Sequence, residues 1–114
     1  MGCPVVLINH SIGWNPGYIQ GNQTVTIPIE DYGVPGGASA AFLSIGMGTD
    51  APAGAQLNSV DPASGVNAGV MATQVAGQPA NGLILAPIDN NGNIQLRNLS
   101  GSGYTLVVWL LGYF

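Results

Sequence analysis

Carboxylates are the residues of this chain best suited to chemistry, and the sequence has five of them. Glu30 and Asp31 are adjacent, so in a strand they would point to opposite faces and could not act together. A glycosidase-type pair would need Asp50 or Asp61 as the second acid, brought close by the fold. Solvated loop charge is the simpler interpretation, and because no positioned set of groups is recognisable, we expect no enzymatic activity and no catalytic residues.

Nucleophilic and zinc chemistry have little support. His10 is the only histidine and Cys3 the only cysteine, so a hydrolase triad lacks a recognisable frame and a zinc site lacks ligands. No base or cation near Cys3 in sequence would activate its thiol. Three glycosylation sequons occur, one of them Asn98-Leu99-Ser100, and chance accounts for them in so asparagine-rich a chain.

A partial calcium pattern occurs late in the chain. Asp89, Asn91 and Asn93 alternate like the first ligands of a calcium loop. However, Gly92 stands at the fourth place rather than the sixth, and no glutamate follows at the twelfth. A tight hairpin built on Asn91-Gly92 explains the same residues, so we expect no metal and no cofactor.

Charge is scarce throughout. Charged residues make up 5% of the chain, the net charge is −4, and Arg97 is the only cation. Nucleic-acid binding needs several cations to neutralise phosphates, so this class is excluded. A surface of amides and hydroxyls is cheaper to bury against a partner than a charged one. The composition therefore favours a protein that packs within an assembly or acts outside a cell.

The sequence contains no recognisable targeting segment. Met1–Pro4 lacks the basic residues that begin a signal peptide, and Val5–Ile8 is too short for its apolar core. No stretch reaches the roughly 18 apolar residues that a membrane helix needs. We therefore expect no membrane partner.

The elements that must position these residues are short strands. Glycine and proline interrupt the chain throughout, and apolar residues alternate with a period of two. This pattern predicts an all-β, single-domain antiparallel β-sandwich or jelly-roll-like barrel. A loop is expected over His10–Gly21, and Pro28 should lie in an edge strand. The predicted strands are Pro4–Asn9, Gln23–Ile29, Ala40–Met47, Ala55–Val60, Gly69–Val75, Gly82–Ile88, Asn93–Asn98 and Tyr104–Phe114.

The last predicted strand is apolar on both faces. One face carries Thr105, Val107, Trp109, Leu111 and Tyr113. The other carries Tyr104, Leu106, Val108, Leu110 and Phe114. Two apolar faces predict burial on both sides, either in the middle of a sheet or between subunits.

The part from Gly33 to Phe114 resembles a small β domain found in secreted actinobacterial proteins and in phage virion proteins. The resemblance rests on Val34-Pro35-Gly36-Gly37-Ala38, Ala41–Ile45, Gly92-Asn93-Ile94 and the final Gly112-Tyr113-Phe114. It implies a non-enzymatic module attached to a surface. This chain departs from such domains by standing alone and by its N-terminal part, 1–32, ahead of the core, 33–114. That departure favours a virion protein over a cell-wall module.

These observations together predict a structural virion protein on the capsid surface. We expect a decoration or cement protein that forms a homo-oligomer, with a trimer as the first guess, and contacts a major capsid protein. The alternative is an extracellular or cell-surface adhesive module that binds carbohydrate through loop aromatics. The candidate interface residues are Trp14, Tyr18, Tyr32, Arg97, Trp109, Tyr113 and Phe114.

Overall fold

The protein is an antiparallel β-sandwich. The structure, a computed structural model, describes residues 6–12, 17–72, 75, 77–78 and 80–114, and for 6–12 it describes the backbone alone. The strands are β1 (Val6–Ile12), β2 (Tyr18–Ile19), β3 (Thr24–Pro28), β4 (Ala40–Met47), β5 (Gln56–Val60), β6 (Asn67–Ala72), β7 (Ala80–Pro87), β8 (Asn93–Asn98) and β9 (Tyr104–Tyr113). One 3-10 turn, Ile29–Tyr32, follows β3.

Two sheets form the sandwich. Sheet I has the order β1-β9-β4-β7, with the short β2 also paired to β9. Sheet II has the order β3-β8-β5-β6. The sheets are not closed into a barrel, so the sandwich is the correct one of the two predicted architectures. Strands β1 to β3, from the first 32 residues, pair with β9 and β8 of the later part.

Alternating apolar residues build the core, as the sequence predicts. On β4, Leu43, Ile45 and Met47 are buried between the sheets, and Ile94 and Leu96 of β8 face them from sheet II. Pro28 ends β3 at the edge of sheet II, where its missing amide donor breaks no ladder. The hairpin expected at Asn91-Gly92 does not form. Asp89–Gly92 is a turn, with Gly92 at a φ of 77° that glycine adopts without strain, but it joins β7 of sheet I to β8 of sheet II, and these two strands do not pair with each other.

Two other expectations about secondary structure, both in the first 32 residues, are wrong. The predicted loop over His10–Gly21 includes the end of β1 and all of β2, because both strands pair with β9 far along the chain. The glycines and the proline of this stretch favoured a loop, and its local sequence carries no signal for pairing with a strand so far along the chain. The predicted strand Gln23–Ile29 is also too long: β3 ends at Pro28, and Ile29 begins the 3-10 turn, a single turn with no periodicity to reveal it.

The last strand is central but is not buried on both sides. β9 lies between β4 and β1, and its inner residues, among them Tyr104 and Leu110, are buried. On the outer face, Val107 is 58% exposed and Trp109 is 37% exposed. Within one chain, therefore, the outer face of β9 stays partly exposed, and its predicted burial between subunits stays a prediction.

A bulge near the end of β9 also changes the predicted facing. Phe42 of β4 pairs with Gly112, but Leu43 pairs with Leu110, so Leu111 is an extra residue. Because one extra residue reverses the alternation, Tyr113 turns towards the core, and Phe114 stacks with Phe42 at a centroid distance of 5.5 Å. No helix in the described part of the chain is long and apolar enough to cross a membrane.

Candidate functional site

The candidate site is the outer face of sheet I, which we call the outer apolar face. It is formed by the outward residues of β7, β4 and β9, and the strand register places them in rows. Ser44 lies between Leu83 and Trp109, and in the next row Gly46 lies between Asn81 and Val107. A third row joins Phe42 to Leu85. No described residue in these three rows is charged.

Local sequence explains why this face is both apolar and uneven. On β9 the run Thr105-Leu106-Val107-Val108-Trp109 is β-branched or aromatic at most positions, which favours a strand, and it supplies large residues to both faces. On β4 two of the three outward positions, Ser44 and Gly46, are small, and only Phe42 near the start of the strand is large. At Ser44 and Gly46 the surface of β4 is therefore recessed between the larger side chains of β7 and β9.

That difference in height produces a groove of about 420 Å³. Gly46 lies at its floor, with Trp109 and Val107 on one wall and Asn81 on the other. A Cβ placed at Gly46 would lie 3.1 Å from the Asn81 Oδ1 atom, so the glycine keeps the floor open. The groove can hold an apolar side chain or a small neutral ligand, because its lining combines apolar walls with uncharged amide and hydroxyl groups.

One end of the groove is fixed by Asp50. Both carboxylate oxygens accept from the Thr105 backbone amide at 3.0 Å, and Oδ2 also accepts from the Thr105 hydroxyl at 2.9 Å. The backbone hydrogen bond from Thr105 lowers the pKa of Asp50, against an opposing effect of burial. Gly48 also donates its amide to the Thr105 carbonyl at 2.9 Å. The turn from Gly48 to Asp50 is therefore bonded to both the amide and the carbonyl of Thr105 on β9.

The other acids lie away from this face. Asp89 accepts from the amides of Asn91 and Asn93 at 2.9 and 2.8 Å, in the turn that joins β7 to β8. Glu30 and Asp89 line one pocket of about 270 Å³, and Asp61 and Asp89 line another of about 380 Å³. Asp50 contacts Thr105, which follows the C-terminal end of β8, whereas Glu30 contacts Gly92, just before the N-terminal end of β8. The structure therefore does not bring Asp50 and Glu30 together. Among the described residues no group of three or more acidic, histidine or cysteine side chains could hold a metal.

The interface candidates predicted from sequence separate into different parts of the fold. Tyr18, Trp109 and Phe114 come to the outer side of sheet I, and a Cβ at Gly103 would collide with the Tyr18 ring. Tyr32 and Tyr113 pack against the core instead. Trp109 is thus a surface residue rather than the core residue that was one of its two predicted roles.

Among the four remaining candidates, Arg97, Trp14, Cys3 and His10, only Arg97 has a side chain that the structure describes, and it lies outside the outer apolar face. Arg97 lies on sheet II, where its Nε donates to Thr24 at 3.0 Å and its Nη1 to Asn67 at 3.4 Å; neither acceptor is charged. Trp14 and Cys3 lie outside the described residues. The side chain of His10, whose backbone lies in β1, is outside the described structure as well.

Residues that sequence reasoning missed form most of the site. Leu83 and Leu85 alternate within the predicted strand Gly82–Ile88, so their shared face was readable. The sequence did not show which face of this strand points outward, because Ile84, on the opposite face, is just as apolar. The floor at Gly46 had no sequence signal, since Ser44, Asn81 and Trp109 meet only when β7, β4 and β9 pair.

No protein family matches the chain, and no curated protein or solved structure is significantly similar to it. The resemblance to small β domains that end in Gly-Tyr-Phe therefore stays a prediction.

Proposed function

We propose that this protein is a non-enzymatic structural component of a protein assembly, and specifically a decoration or cement protein on a viral capsid. The outer apolar face is the observation that carries the proposal. Leu83, Val107 and Trp109 are exposed there together, without a charged neighbour in the same rows. On soluble domains, contiguous exposed apolar patches mark surfaces that pack against other proteins.

The rest of the surface supports the same role. With 5% charged residues, most of the remaining surface consists of amides, hydroxyls and backbone groups. Such groups can be buried against a major capsid protein at lower cost than charges. Two acids are also engaged within the fold, Asp50 by Thr105 and Asp89 by the amides of its own turn, which leaves them poorly placed to act as a general acid or base.

The test is the composition of purified virions from the source of the sequence. Mass spectrometry should find the chain at a fixed ratio to the major capsid protein, and recombinant protein should cosediment with particles stripped of it. Val107→Asp should reduce cosedimentation at least tenfold, whereas Val66→Asp, a charge of the same sign on an exposed valine outside sheet I, should not. A protein that never accompanies particles would refute the proposal.

A carbohydrate-binding or adhesive function is the second candidate, and the groove beside Trp109 favours it. An indole wall next to the Asn81 amide and the Ser44 hydroxyl offers a stacking surface and neutral hydrogen-bonding groups to a sugar ring. A glycan array should then give binding that Trp109→Ala removes, with Trp14→Ala as the comparison. Absence of binding to every sugar would eliminate this candidate.

A further inference from the structure

Leu83 and the groove lie side by side on the outer apolar face. Leu83 is 72% exposed, more than any other large apolar side chain among the described residues. It lies one row along from Gly46, the floor of the groove. Resting on the proposed assembly role, we propose that the first partner of this face is a second copy of the chain, with Leu83 of each copy seated in the groove of the other.

The arrangement is self-complementary. In a two-fold interface the same patch meets itself, so a projection and a cavity on one patch can each fill the other. Consider a two-fold axis that lies in the plane of the interface, passes midway between Leu83 and Gly46, and runs perpendicular to the line joining them. This axis places Leu83 of each copy over Gly46 in the groove of the other. Large and small residues alternate across facing sheets that interdigitate in this way. This geometry favours a two-fold pair over the trimer expected from the sequence.

Charge favours a second copy as well. Each chain has a net charge of −4, so self-association through most surfaces would bring acids together. The rows of the outer apolar face carry none, and Glu30, Asp61 and Asp89 lie around turns at the far end of β8. Asp50 borders the groove, but Thr105 holds its carboxylate. The face is therefore where two copies meet with the least repulsion.

The available area sets the strength of the dimer. Three strand positions at a spacing of about 4.8 Å, and eight residues at about 3.3 Å each, give a footprint of roughly 380 Å² per copy. Two copies would bury roughly 800 Å², less than the roughly 1,000 Å² of a stable specific interface. We therefore expect a weak, reversible dimer rather than a permanent one.

Sedimentation equilibrium over a concentration series of the full chain tests this proposal. The mass should rise with concentration from the 11.5 kDa of one chain towards twice that value. Leu83→Lys should weaken the dimer more than tenfold. Val70→Lys is the matched control, because Val70 is 62% exposed on β6 of sheet II and the variant carries the same added charge. It should leave the dimer unchanged.

A second variant tests the groove itself. Gly46→Ala fills the floor with one methyl group, and the nearest atom, 3.1 Å away, is the Oδ1 of the exposed and adjustable Asn81 side chain. The variant should keep the thermal melting of the monomer and weaken the dimer severalfold. A dimer that tolerates both Gly46→Ala and Leu83→Lys would refute the proposed contact.

The outcomes separate this inference from the proposed function. Wild-type protein that stays monomeric at millimolar concentration but cosediments with virions overturns the dimer and leaves the assembly role intact. A dimer sensitive to Leu83→Lys in a protein that never accompanies virions supports this contact and overturns the capsid role. Equal loss of the dimer in Leu83→Lys and Val70→Lys overturns the contact, because only one of them lies on the outer apolar face.

Discussion

Asn98 is the polar residue that most clearly stabilises the end of the sandwich near the start of β9. Its buried amide donates to the carbonyls of Gln20 and Ser102 at 2.9 and 3.0 Å, and its Oδ1 accepts from the amide of Ser100 at 2.8 Å. One side chain therefore joins the turn before β3 to the turn between β8 and β9. Because both amide protons are engaged and the residue is fully buried, its sequon cannot accept a glycan in the folded protein.

Asn98→Ala should lower the free energy of unfolding by roughly 2–3 kcal/mol, since three backbone groups lose a partner in a buried place. Urea denaturation followed by circular dichroism measures the change. Asn81→Ala is the control, because Asn81 is exposed and should cost less than about 0.5 kcal/mol. Equal losses in the two variants would show that the Asn98 bonds do not stabilise the fold.

Asp50 gives a prediction about acid. Hydrogen bonding by Thr105 lowers the pKa of Asp50 from its ordinary value of 3.8. The folded state therefore binds fewer protons than the unfolded state in this range. The stability from Asp50 is present above pH 3.8 and is lost as pH falls through the lower folded-state value. Because Asp50 is exposed, we expect this contribution to be below about 1 kcal/mol.

Asp50→Asn should therefore be less stable than wild type at pH 6, and the difference should shrink as pH falls below 3.8. Chemical denaturation at several pH values measures it. Asp31→Asn removes the same charge from an exposed turn and isolates the effect of net charge. A difference between Asp50→Asn and wild type that grows on acidification would contradict the assignment.

At the scale of the element, β9 allows the two faces of one strand to be compared directly. Val108 is 1% exposed in the core, whereas its neighbour Val107 is on the outer apolar face. Val108→Ala should destabilise the fold by about 2 kcal/mol through lost burial and a residual cavity. Val107→Ala should cost less than about 0.5 kcal/mol in the dilute monomer. Thermal melting at low concentration measures both, and similar losses would mean that the outer face is covered within one chain.

The same strand explains how far sequence alone could reach. Period-two alternation located β4 and β9 within a residue, because it depends on local sequence. The Asn91-Gly92 signal located a turn for the same reason, but the predicted hairpin is wrong because β7 and β8 pair with other strands in different sheets. The sequence predicted burial of both faces of β9, within the sheet or between subunits, because an apolar face indicates that something covers it but not whether that is the same chain. The fold leaves the outer face partly exposed within one chain, so its burial between subunits stays a prediction. The bulge at Leu111 was invisible for a related reason: it exists only in the pairing with β4.

At the scale of the whole molecule, the candidate site depends on contacts between distant segments. Gly46 reaches Asn81 and Val107 through two ladders that join parts of the chain 35 or more residues apart. No local pattern encodes that meeting. Composition, in contrast, is a property of the whole chain and correctly indicated a surface on which charge is rare. Composition predicts that much of the surface is uncharged, and only the fold shows that a contiguous part of it lies on the outer apolar face.

Net charge gives a prediction for the molecule as a whole. The sequence pI is about 4.1, so acidification from pH 7 removes most of the net charge of −4. The molecule is 27 Å across its shortest axis, which sets the separation of the centres of two copies packed face to face. At an ionic strength of about 0.01 M, their repulsion across that distance is on the order of 1 kcal/mol.

Dimerisation should therefore strengthen severalfold between pH 7 and pH 4.5 at low salt, because no ionisable side chain in the described rows of the outer apolar face opposes it. Raising the ionic strength to about 0.15 M shortens the screening length to about 8 Å and should remove most of this pH dependence. Sedimentation equilibrium at both pH values and both salt concentrations measures the four dissociation constants. If the dimer weakens on acidification, a carboxylate takes part in the contact. A dependence that Asp50→Asn removes assigns it to Asp50 beside the groove, whereas one that survives Asp50→Asn means that the copies meet through the turns near Glu30 and Asp89 instead of through Leu83.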